Sequence, residues 1–130
     1  TIADTYLSVG SPVSSALPRL LEIGAEIRAD ITQRIRSNRA ALHAAVAGSA
    51  VSFLPCEGGW SAILRVPGVM SDEAWALALL EEDGVLVAPG YFFDLDRAGV
   101  GTTLVVSLLP PPAQFAAGIG HIVARAARAG

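Results

Sequence analysis

Residues 84–93 read Gly-Val-Leu-Val-Ala-Pro-Gly-Tyr-Phe-Phe. A glycine opens a short apolar run, Pro-Gly makes a sharp turn, and three aromatics follow it. The pattern predicts a strand over 85–88 and then a loop over 89–101 that carries two further glycines. A second apolar run, TLVVSLL at 103–109, follows that loop and stops at Pro110-Pro111-Pro112. Two short strands joined by a polar, glycine-bearing loop make this the part of the chain in which to look for function. Gly99 and Gly101 shape the connection between the strands. They are no phosphate cradle, because no complete GxGxxG follows a strand and opens a helix.

The flanking sequence gives the rest of the fold. Upstream, VSFL at 51–54 and WSAILRV at 60–66 are strand candidates joined by the turn Pro55-Cys56-Glu57-Gly58-Gly59, a hairpin pattern. Alternation places Trp60, Ala62, Leu64 and Val66 on one face of the second strand, with Ser61, Ile63 and Arg65 on the other. Between this hairpin and the opening stretch, Ser71 is an N-cap and Asp72 and Glu73 suit a first turn. The helix that follows packs Trp75, Leu79 and Ala78 and stops at Gly84. A last helix over about 113–128 has Phe115, Ile119, Ile122 and Ala126 on one face.

At the N-terminal side, Ser11-Pro12 reads as a break and Pro18 as a first-turn residue. A long helix is expected over 17–47, closed by Gly48. Ile23, Ile27, Ile31, Ile35, Leu42 and Val46 form a slowly drifting apolar stripe along it. A helix of that length in a small domain bridges something, often two domains. The whole is an α+β domain: a small, mostly antiparallel sheet covered on one side by helices, preceded by the long helix.

Composition narrows the chemistry. The chain has 130 residues, 52% of them hydrophobic, and a formal net charge of −3. It is long enough for one core and carries no nucleic-acid footprint. No run approaches the about 20 apolar residues of a membrane helix. The sequence opens at Thr1 without methionine or a charged-then-apolar leader, so the expectation is a piece of a longer protein. All nine basic residues are arginine, and the absence of lysine removes Schiff-base chemistry from the chain itself. One cysteine, Cys56, excludes an internal disulfide and points to a reducing compartment. Cys56, His43 and His121 give no metal-ligand spacing, and both histidines read as structural or solvated.

The candidate binding residues are few. Arg65 interrupts an apolar strand, and a guanidinium there either holds a carboxylate or faces solvent or another domain. Asp94, Asp96 and Arg97 are either a polar substrate contact or a solvated local ion pair. Tyr91, Phe92 and Phe93 cannot all point inward; they either cap the sheet or line a cleft toward another domain.

The ordered set of motifs resembles the C-terminal small domain of a class I/II aminotransferase, a fold-type I pyridoxal-phosphate enzyme. The carrying residues are Asp4-Thr5-Tyr6-Leu7-Ser8-Val9 with Ser11-Pro12-Val13, then the long helix, Glu57-Gly58-Gly59-Trp60, Gly84-Val85-Leu86-Val87-Ala88-Pro89-Gly90 with Phe93, and Leu104-Val105-Val106-Ser107-Leu108. The resemblance implies a lead-in over 1–16 from a large domain, an interdomain helix over 17–47 and a small domain over 48–130, with 17–130 as one structural unit. It implies a homodimeric, cytoplasmic parent whose large domain holds pyridoxal phosphate and the lysine that anchors it. This chain then supplies substrate-side walls and domain closure, with no catalytic, cofactor-binding or metal-binding residue of its own. Its substrate, an amino compound, is expected near Trp60, Tyr91, Phe93 and Val105. In that family the last strand carries an arginine, in a Leu-Arg-Leu-Ser pattern, that clamps the substrate carboxylate. Here the position is Val105, which can neither donate a hydrogen bond nor carry charge. Arg65 or Arg97 then becomes the candidate substitute. Two other readings remain open at this level: an aminotransferase-like ligand-sensing domain of a transcription regulator, and a free-standing α+β interaction module.

Overall fold

The computed structural model describes residues 10–95 and 99–129. The motif at residues 4–9, Asp96 and Arg97 lie outside the described residues. Contacts divide the chain into two units, Thr1–Gln33 and Arg34–Gly130. The division falls inside the long helix.

Helix α1, Ser11–Val46, starts six residues before its expected beginning at 17. The reason is Pro12. The carbonyl of Gly10 accepts from Val13 and Ser14 N–H at 3.0 and 3.1 Å. Pro12 thus lies in the first turn, where a missing N–H costs nothing, so Ser11-Pro12 opens the helix and does not break it. Pro18 becomes an interior residue. Within the first unit the expected stripe is exposed at Ile23, Ile27 and Ile31. Burial on α1 is confined to Asn38, Leu42 and Val46, with Ile35 partly covered, all in the second unit.

That second unit holds the sheet. Its strands are β1 (Ser52–Phe53), β2 (Ser61–Arg65), β3 (Ala88–Pro89) and β4 (Thr103–Ser107), in the order β1-β2-β4-β3, all antiparallel. The β2–β4 register sets Ala62 against Val106 and Leu64 against Leu104. These four residues are buried together with Trp75 and Leu79 of helix α2 (Asp72–Asp83), Phe115, Ile119, Ile122 and Ala126 of helix α3 (Pro112–Ala129), and Leu42 and Val46. One face of the sheet is thus the core, covered by helices as the sequence implied.

All four strands are shorter than the expected runs 51–54, 60–66, 85–88 and 103–109, and the last two shortenings have a visible cause. The run 85–88 contributes only Ala88 to β3, which pairs with Val105, while Pro89 lies opposite Leu104. Pro89 has no N–H to extend the ladder. Before Ala88 the chain leaves β4, and a groove of about 520 Å³ opens beside Val85, Val87, Val106 and the face of α3 bearing Gln114 and His121. Strand β4 ends at Ser107 because the next carbonyls have other partners. The buried Asn38 amide donates to Leu108 O at 3.0 Å and to Pro110 O at 2.8 Å.

Helix α2 is capped as its sequence implies. Ser71 Oγ accepts from Ala74 N–H at 3.2 Å, and Gly84 adopts φ 65°, where glycine has no steric cost. Its last turn carries no basic residue, yet ends in Glu82 and Asp83. Arg125 of α3 corrects the mismatch. It donates through Nε to Asp83 and through Nη2 to Glu82 at 2.8 Å, tying the two helices together.

Two outcomes follow from these contacts. Asn38→Ala removes two donors and strands one buried and one part-buried carbonyl, so chemical denaturation should show a loss of about 2–3 kcal/mol. The hydrogen bond from Arg125, then the charges of Arg125, Arg128 and His121, hold the Asp83 carboxyl below its ordinary range, against a partial desolvation effect that raises it. A depressed folded-state pKa gives stability that is present above the unfolded-state value, near about 4, and lost as pH falls through the folded-state value. Wild type should therefore lose stability on acidification more steeply than Arg125→Met, as read from unfolding midpoints between pH 6 and pH 2.

Candidate functional site

Within the second unit, and among the described residues, the buried helical residues pack on one sheet face, and strand alternation turns the other residues of β2 and β4 away from it. The opposite face carries Ser61, Ile63 and Arg65 of β2 against Ser107, Val105 and Thr103 of β4, pair by pair, with Ala88 of β3 beyond Val105. The middle row, Ile63–Val105–Ala88, is apolar and partly exposed. Among the six expected binding residues, this face brings together Arg65 and Val105, which are diagonal neighbours across β2 and β4.

The aromatic turn borders the same end of the face. Residues Gly90–Phe93 form a 3-10 turn immediately after β3. Gly90 lies directly on Thr103: a Cβ there would come 1.9 Å from Thr103 Oγ1 and 3.1 Å from its backbone oxygen. Only glycine permits that approach, and it buries Thr103 to 1% exposure although the sheet face is open. The turn is pinned from outside as well, since Asp72 Oδ2 accepts from Tyr91 N–H at 2.7 Å. The other oxygen of Asp72 accepts from Glu73 N–H at 3.1 Å. Asp72 was legible as a first-turn acid; its reach to Tyr91 was not, because nothing local encodes it. Tyr91, Phe92 and Phe93 are all at least 41% exposed, and Tyr91 meets Phe92 edge-on with ring centroids 4.6 Å apart. They do not cap the core.

Trp60 belongs elsewhere. It precedes β2, and its carbonyl accepts from Leu108 N–H at 2.7 Å. Four residues of strand, about 13 Å, separate the Ser61 and Arg65 ends of β2. Trp60 therefore stands at the far end from Tyr91 and Phe93, and alternation gives it the parity of the covered face. It is 63% exposed. The structure thus does not bring it together with the aromatic turn.

Arg65 is exposed, and its Nε donates to Val100 O at 2.7 Å. This bond and Val66 N–H to Thr102 O at 3.1 Å hold the chain entering β4. Among the described residues Arg65 has no carboxylate partner within ion-pair distance. Val100 and Ile63 are the contributors that sequence reasoning passed over. The alternation that placed Ile63 beside Arg65 was the available signal.

The remaining reactive groups do not assemble. His121 Nδ1 is 3.8 Å from Asp83 Oδ1, beyond hydrogen-bond reach. His43 packs edge-on against Phe53. Cys56 Sγ donates to Gly58 O at 2.7 Å. No group of three His, Cys, Asp or Glu among the described residues could hold a metal ion, and none of the described helices is long and apolar enough to cross a membrane. The residues present do not fit pyridoxal phosphate as its anchoring site, since the chain has no lysine and neither the Gly99 nor the Gly101 backbone opens a helix.

No family model and no curated protein matches the chain. Among solved structures it is similar to YbdL from Escherichia coli, whose crystal structure is described as identifying a methionine aminotransferase function. The likeness has a TM-score of 0.70 at 22% identity and covers 94% of this chain but 32% of YbdL. The chain therefore has the fold of about a third of an aminotransferase.

The close approach of the turn to the sheet gives a direct test. Gly90→Ala should destabilise the chain by about 1–3 kcal/mol through overpacking. Adding Thr103→Ala, which removes the nearest atom, should return part of that loss in a double-mutant cycle of unfolding free energies.

Proposed function

We propose that this chain is the C-terminal small domain of a pyridoxal-phosphate-dependent aminotransferase. The single observation that carries the reading is the likeness to YbdL over 94% of this chain. A sheet covered on one face only, with an apolar row and an arginine on the other, supports it. Such a face is a natural wall for a cleft completed elsewhere.

In this reading another domain of the same parent chain holds the cofactor and its lysine. The cofactor, when bound there, serves as the electron sink for moving an amino group between an amino compound and a 2-oxo acid. This domain performs no catalysis alone. Its Arg65, Val105, Tyr91 and Phe93 face the substrate, while Trp60 stands as a more distant contributor. Domain closure brings these walls to the ligand, and the long helix α1 spans the two domains. The parent is a cytoplasmic homodimer. The share of YbdL matched, 32%, fits a chain that is one domain of a larger enzyme.

The natural full-length protein should transfer an amino group from an amino acid to a 2-oxo acid in the presence of pyridoxal phosphate. After borohydride reduction it should carry one pyridoxyl group, whereas this lysine-free chain should carry none. A full-length protein that neither retains the cofactor nor transfers amino groups contradicts the reading, as does stoichiometric, specific fixation on this chain alone.

A further inference from the structure

We propose that an extended, apolar segment of the parent chain, from outside residues 1–130, adds as a short strand to the open edge of β4 at Ser107 and fills the groove beside it. That the segment belongs to the same parent rests on the aminotransferase reading; the open edge and the groove do not.

The edge follows from the register. Leu108 N–H donates to Trp60 O at 2.7 Å and Val66 N–H donates to Thr102 O at 3.1 Å. Leu104 and Val106 share the parity of Leu108 and Thr102, so their backbone groups also turn to β2. Thr103, Val105 and Ser107 then turn theirs to the other side. There Ala88 pairs with Val105, and Pro89 lies opposite Leu104. Two residues further, the same register would set Leu86 against Ser107, but the ladder stops at Ala88. The Ser107 side chain is engaged, since its Oγ accepts from Leu109 N–H at 3.2 Å. Its backbone borders the groove of about 520 Å³. An unpaired strand edge is a template on which another extended segment can pair.

The groove suits what such a strand brings. Val85, Val87, Val106 and Phe115 line it without charge, so it takes apolar side chains. Gln114 and His121 also border it, as does Asp83, whose carboxylate is held by Arg125. Gly118 of α3 leaves it open: a Cβ there would meet Val85 Cγ1 at 3.8 Å, an ordinary contact. The small size of the free edge favours a segment of the same chain. One residue's backbone groups and a short groove give little affinity for a separate partner, whereas a tethered segment is present at high effective concentration. This chain covers 32% of YbdL, so in the aminotransferase reading most of the parent lies outside it and can supply that segment.

Hydrogen exchange and cross-linking in the natural full-length protein test this. The Ser107 amide should exchange about a hundred-fold or more slowly than an unprotected amide. With p-benzoylphenylalanine replacing Gln114, light should join this position to a peptide of the same chain outside residues 1–130. Gly118→Leu, which fills the groove, should speed exchange at Ser107 about ten-fold or more, while Gly118→Ala should leave it within about three-fold. The Val106 amide, which faces β2, should stay protected in both. If Gly118→Leu opens Val106 as well, the variant has lost its fold, and wild-type exchange and the cross-link decide. Free exchange at Ser107 in wild type overturns the proposal. So do cross-links confined to residues 1–130 or made to a second chain, and unchanged Ser107 protection in Gly118→Leu. If Ser107 is protected and the cross-link forms but no amino group is transferred, the aminotransferase reading fails alone. If transfer is intact and Ser107 exchanges freely, this proposal fails alone.

Discussion

The second unit depends on how the chain leaves its central strand. Three consecutive prolines, Pro110 to Pro112, supply carbonyls but no N–H groups, so the backbone cannot satisfy this passage by itself. Asn38 resolves it from α1. Its buried amide gives one proton to Leu108 O and one to Pro110 O, and the helix that follows takes Pro111 O through Phe115 N–H at 2.9 Å. The two bonds also fix which way the amide points, because the oxygen could not face two carbonyls. With that lock in place, Leu42 and Val46, one and two turns on, lie on the same core as β2, β4, α2 and α3. The asymmetry of the sheet follows: within the second unit, the described helices bury their apolar residues on one face.

A sheet covered on one side is the link between fold and function. Alternation commits Leu64, Leu104 and Val106 to the core, and the same rule sends Ile63, Arg65 and Val105 out. The turn at Gly90 can close over Thr103 only because glycine has no Cβ, and Asp72 then fixes that turn by its Tyr91 N–H bond. These contacts leave an arginine, an apolar row and an aromatic border on one face. None of them is chemically reactive, which is consistent with a wall that positions a ligand for chemistry supplied by another domain.

Much of this was legible in the sequence. The β1–β2 hairpin, the Ser71 and Gly84 caps and the four buried residues of α3 follow from alternation, capping chemistry and helical spacing, because local geometry enforces them; the β2–β4 pairing is non-local and required the fold. The apolar stripe at Ile23, Ile27 and Ile31 is exposed, since periodicity identifies a face without saying what covers it. The start of α1 was misplaced because Pro12 reads equally as a breaker and as a first-turn residue; the Gly10 carbonyl decides between them. Trp60 and the aromatic turn looked like neighbours in function, yet strand length holds them apart. Arg65 was visible as a charge in an apolar strand, but its orientation by Val100 required the fold.

The central claim is that the face bearing Val105 looks into a ligand cleft. It is tested most directly by thiol labelling of Val105→Cys in the natural full-length protein, with Cys56→Ser removing this chain's native thiol. An apolar amino acid substrate should slow labelling at position 105 several-fold while leaving Ala116→Cys, on the exposed side of α3, unchanged. Labelling at position 105 that is indifferent to every amino acid and 2-oxo acid would contradict the account.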